Sequence, residues 1–157
     1  MKWSKWLDNW DMTSLKISAG FLAMEWKPQD EDKAAAWAMY IELLTRITTQ
    51  PLAEEAGDEK TALASIYALF PLSREIIKTN GRHCIEFTKL AIVVLNQVVR
   101  PFTARWHKKS LAGAFDNPIE CLAFRSELVA LQAKLRNYTR MLADMAGVED
   151  LTALEAE

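Results

Sequence analysis

The stretch NPIECLAFRSELVALQAKLRNYTRMLADMAG, residues 117–147, decides the fold class. Asn117 offers a side-chain acceptor at an N-cap, and Pro118 needs no donor at the first helical position. Glu120 stands at N3, and Gly147 falls where a left-handed C-cap residue is wanted. These ends predict a helix over 118–146, roughly 43 Å long at 1.5 Å per residue. Inside it Cys121, Phe124, Leu128, Leu131, Leu135, Tyr138, Leu142 and Met145 recur at alternating steps of three and four, the apolar seam of a heptad. Leu122 and Val129 widen that seam on one side, so the stripe reads as the face of a bundle. A rod of this length needs a partner of similar length.

Residues 82–108 supply one. Leu90-Ala-Ile-Val-Val-Leu95, with Val98 and Val99, is apolar all round, as a helix enclosed by others must be. Pro101 lacks a backbone donor and disfavours helix at Arg100, so a kink is expected there. Upstream, Asp30 or Asp32 can cap a helix whose apolar positions are Trp37, Tyr40, Ile41, Leu44 and Ile47, ending before Pro51. After an acidic loop, Asp58 and Glu59 open a helix carrying Leu63, Ile66, Tyr67 and Phe70. Pro71 breaks or kinks it, and Asn80-Gly81 ends its continuation. Four principal helices result.

Composition agrees with an all-α domain. In 157 residues there are only five Gly and five Pro, too few for the regular turns of a sandwich or barrel. Half of the residues are hydrophobic and a quarter charged, the balance of a globular chain rather than a disordered one. No glycine-rich linker or fixed-period repeat divides it, so residues 29–147 read as one bundle domain, 1–28 as an extension packed on the bundle or a partner, and 148–157 as a frayed acidic tail. Cys84 and Cys121 belong to no zinc or disulfide spacing, and the first residues show no h-region, which together suggest a reducing, cytoplasmic setting. No apolar run approaches the roughly twenty residues that cross a bilayer.

The extension itself mixes signals. Trp3, Trp6, Leu7 and Trp10 share one helical face, whereas Leu15, Ile17, Ala19 and Phe21 alternate as a strand would. It could lie extended on the bundle, pair with a second copy, or be more helix.

Chemistry is sparse. His83 and His107 have no partner at metal-ligand spacing, so neither a metal nor a cofactor is expected. Net charge is −2 but uneven: −3 over residues 1–78, +6 over 79–143, and five acids without a base thereafter. Arg100, Arg105, His107 and Lys108 concentrate the positive charge and are anion-binding candidates, for RNA or a nucleotide, with Arg82 or Arg140 in reach from neighbouring helices. Cations in the last turn of a helix also complement its dipole, and Trp106 can lie beneath Arg105 or Lys109.

The sequence RPFTARWH, residues 100–107, resembles the Arg-then-His pattern of HEPN-type helical ribonucleases, though Pro101 replaces a residue that is polar there. The resemblance implies that Arg100 binds the scissile phosphate and that His107 acts on the ribose hydroxyl or the leaving group. Against it stands the reading from surplus apolar surface. Trp3, Trp6 and Trp10, together with Leu128, Leu131 and Leu135, exceed what a small bundle must bury and are partner-binding candidates. A non-enzymatic interaction module, self-associating or bound to another protein, is the expected function; docking to a membrane is not, because Asp8 and Asp11 cancel Lys2 and Lys5.

Overall fold

The computed structural model describes residues 1–155. Its helices, in chain order, are α1 (Trp3–Asn9), α2 (Ala19–Leu22), α3 (Asp30–Leu44), α4 (Glu59–Tyr67), α5 (Leu69–Asn80), α6 (Ile85–Val94), α7 (Arg100–Leu111) and α8 (Pro118–Ala146). A π-helical turn, Leu95–Val99, joins α6 to α7, and a 3-10 turn, Ala114–Asp116, precedes α8. The fold is all-α; among the described residues the sole β pairing is an isolated antiparallel bridge between Lys2 and Glu25.

α8 forms as its end signals require. Asn117 Oδ1 accepts from the Ile119 amide at 2.9 Å, and Gly147 takes the left-handed conformation, φ 70°. The seam from Phe124 to Met145 is buried, chiefly against α3, where Ala35 and Ala36 let the two backbones approach and Met39, Tyr40 and Leu43 fill the contact. The face of α3 differs from the one expected. Trp37 and Ile41 point outward, because the alanines rather than the bulky residues are turned to the partner helices.

Three further elements enclose α8 and α3. α4, capped by Asp58, which accepts from the Thr61 amide at 2.8 Å, packs on α7; α5, separated from α4 at Ala68, packs on α3 and ends at Gly81, φ 79°. α6, the π turn and α7 make one continuous rod. The irregularity anticipated at Pro101 is a π turn immediately before it, whose wider ring accommodates the missing proline donor while the helix continues into α7.

The extension is part of this core. α1 buries Trp3 and Trp6, the chain then turns at Thr13–Ser14, and α2 brings it back so that the Trp3 amide donates to Met24 O (3.0 Å) and the Trp26 amide to Met1 O (2.7 Å). Indole donors tie it to distant helices: Trp3 Nε1 to Glu86 (3.0 Å) and Trp6 Nε1 to Asp144 (2.7 Å). The tail, expected to fray, instead folds back. Gly147 reverses the chain, and the Leu151 amide then donates to the Tyr40 hydroxyl at 2.6 Å while Thr152 meets Arg140. Residues 156–157 of that expected tail lie outside the described ones.

Candidate functional site

The residues expected to meet a partner are mostly inside the molecule. Trp3 and Trp6 are about 1% exposed, Leu128, Leu131 and Leu135 at most 5%, and only Trp10 is half-buried. This corrects the reading of surplus surface: α3 and the α6–α7 rod consume the heptad seam, and the tryptophans cover the rod and the end of α8. Their buried indole N–H groups require acceptors, and the buried Glu86 and the exposed Asp144 at the core's edge supply them.

The basic segment is divided by the helical turn. Arg105 and Lys109 face α8, where Arg105 pairs with Glu127 (3.1 Å) and Lys109 with Glu120 (2.9 Å), and both cations lie over the Trp106 ring as anticipated. Trp106 Nε1 also donates to Glu127. Arg100 and His107 face α4 and α5 instead. The Arg100 guanidinium sits 4.6 Å from the Phe70 ring centre and donates to Asn96, while the His107 ring meets Tyr67 edge-on at 5.1 Å. Tyr67 and Phe70 are themselves in contact, so these two side chains share one aromatic platform. Lys108 is exposed between the two faces, and Arg140, far along α8, belongs to the folded-back tail. The four anion candidates therefore do not converge on one point. Among the described residues no group of three or more His, Cys, Asp or Glu is placed to hold a metal ion, and no helix is long and apolar enough to cross a membrane.

A shallow cleft of about 310 Å³ lies where the π turn and α7 meet α8, lined by Gln97, Val98, Pro101, Arg105, Glu127 and Lys134 among others. Its polar groups are largely committed. Gln97 exchanges two hydrogen bonds with the Lys16 backbone, and Arg105 is neutralised by Glu127.

The surface that the sequence reading missed is the outer face of α8. Ile119 is 76% exposed, Leu122 69% and Val129 61%, with Ser126, Ala130 and Ala133 exposed between and beyond them. Leu122 and Val129 do not widen the buried seam; they lie about half a helix circumference away from it. From Ile119 to Ala133, some four turns, this face carries no charge. The charges flanking it, Arg125 and Glu127, are held inward, Arg125 by Glu59 (2.9 Å) and by the carbonyls of Leu52, Ala53 and Gly57. A signal was present in the sequence, since 119, 122, 126, 129 and 133 repeat the same three-four steps as the buried seam. Compared with known protein families, curated proteins and solved structures, the chain matches none.

Proposed function

We propose that the chain is a non-enzymatic helical interaction module, working in the cytoplasm, that presents the outer face of α8 to another helical surface. The uncharged stripe Ile119, Leu122, Ser126, Val129, Ala133 carries this reading. Surface helices normally keep charge on the solvent side, and a largely apolar, uncharged strip over four turns has the dimensions of a helix-in-groove or helix-pair contact. Two unpaired cysteines, one of them buried, suit a reducing compartment. A photo-crosslinking residue at position 129, introduced in the native cell, should give one discrete adduct that disappears when Leu122→Glu is added. Both positions are exposed, so the fold should survive, as circular dichroism will show. A diffuse smear, or an adduct indifferent to Leu122→Glu, would remove the proposal.

A second reading rests on the placement of Arg100 and His107 on one accessible face, each against the Tyr67–Phe70 pair. In this reading Arg100 holds a phosphate and the His107 imidazole moves a proton in RNA cleavage. Purified protein incubated with a generic single-stranded RNA should then cleave it, and the folded Arg100→Ala and His107→Ala proteins should not. Equal cleavage by both variants, or none by the parent, returns these side chains to packing roles.

A further inference from the structure

Resting on the α8 reading above, we infer that the occupant of that face is a second copy of this chain, packed antiparallel about a two-fold axis through Ser126. The argument is the order of large and small side chains along the stripe. Under such an axis, residues equally far before and after Ser126 face one another. Ile119 then meets Ala133 and Leu122 meets Ala130, so these two large side chains each find a small one, Ser126 lies on its own copy, and Val129 flanks the contact. A parallel pair would set Ile119, Leu122 and Val129 on themselves and leave the alanines facing a gap. Close-packed helix contacts favour the first arrangement, because knobs need holes.

Charge agrees with shape. On one edge of the stripe Lys134 is exposed and has no ion-pair partner among the described residues, and Glu120, paired with Lys109 in its own copy, lies on that same edge fourteen residues earlier, so that Lys134 of a second copy would join an existing pair. Reversal about Ser126 brings Lys134 of each copy to within two residues of Glu120 of the other, about 3 Å along the axis. The like charges nearest the axis, Arg125 opposite Arg125 and Glu127 opposite Glu127, are already neutralised within each copy by Glu59 and Arg105. An isologous contact of this kind closes on itself and stops at two copies. Four turns of one helix cover less than the roughly 800 Å² per partner of a standard stable interface, so the dimer should be reversible.

Sedimentation equilibrium of the full chain, over roughly 1–500 µM, tests the association; mass should climb toward twice the monomer value in that range. Leu122→Ala opens a hole and Ala130→Leu creates a clash, and each should weaken the dimer about tenfold or more. The double variant places the new alanine against the new leucine and should recover most of that loss. Ser126→Cys, made with Cys121→Ser, should form an intermolecular disulfide under mild oxidation in preference to Lys2→Cys. A monomer at every concentration, or a double variant no tighter than the singles, overturns the two-fold. If the monomeric protein still gives the discrete position-129 adduct with a different mass, the α8 reading stands and only the second copy is wrong; if the adduct is missing too, both fall.

Discussion

At the scale of single residues, one carboxylate holds two helices in place. Asp32 is fully buried, yet it has no ion-pair partner among the described residues; its Oδ2 accepts from the Gln29 amide at 2.8 Å and its Oδ1 from the Phe87 amide at 2.9 Å. Those amides belong to the first turns of α3 and α6, where backbone donors lack helical partners and both dipoles favour a negative charge. Asp32→Ala leaves two buried donors without acceptors and should lower unfolding free energy by about 2–4 kcal/mol. A urea titration showing a loss under about 1 kcal/mol would falsify the bridging role. The sequence reading put Asp30 or Asp32 at the N-cap, but Gln29 occupies that position and Asp32 is the N3 partner of its capping box; the second client was not legible, because Phe87 is 55 residues away and a single sequence carries no contact information. Tyr138 is the opposite case. Its hydroxyl is buried without a hydrogen-bond partner among the described residues, and desolvation pushes its pKa well above the usual tyrosine value. A raised folded-state pKa means stability that is complete below the ordinary value near 10 and is lost as pH rises beyond it. Tyr138→Phe should therefore unfold at the same or a higher temperature at pH 7, and should lose less stability between pH 9 and 11.5 than the parent. Tyr40, whose pKa is raised mainly by burial, keeps some alkaline sensitivity in that variant.

Among elements, ends were more legible than faces. Asn117, Asp58, Gly81 and Gly147 each stop or start a helix where local chemistry says they should, since a cap is decided by a few neighbouring residues. Gly147 gives a direct test. With φ 70° and nothing within 4 Å of where a Cβ would stand, Gly147→Ala meets backbone strain alone and should cost about 1 kcal/mol. A melting temperature unchanged in that variant would show that the left-handed turn can relax. The same substitution at Gly20, where no positive φ is present, should be neutral to slightly favourable. Faces were misjudged where two apolar stripes compete on one helix. α3 buries its alanines and exposes Trp37 and Ile41, and α8 has an inner seam and an outer one with identical spacing. Periodicity reports that a stripe exists; which of two stripes turns inward depends on the partner helix. The rod through Pro101 illustrates another limit, since a π turn has no short sequence signature distinct from ordinary helix.

For the whole molecule, the question is whether the amino-terminal extension, read from sequence as packed on the bundle or on a partner, is part of the fold's foundation. Trp3 and Trp6 are buried almost completely, edge to face with one another, with Trp26 stacked on Trp6 and Phe21 against Trp3. Burying about 200 Å² of each ring at about 25 cal/mol per Å² gives roughly 5 kcal/mol apiece, an upper bound because unfolded chains already hide some of that area. Even halved, the pair matches a large fraction of the 5–15 kcal/mol that holds a typical domain together. Deleting it would also strip Glu86 and Asp144 of their indole donors. A chain starting at residue 29 should therefore fail to give a cooperative thermal transition, while the full chain unfolds in one step. Trp6→Phe, which keeps most of the apolar area but removes the hydrogen bond to Asp144, should lower stability by about 1–3 kcal/mol without abolishing folding. If the truncated chain melts cooperatively within a few degrees of the parent, the helices from α3 onward suffice by themselves, and the aromatic cluster at the amino end must be explained by something other than stability.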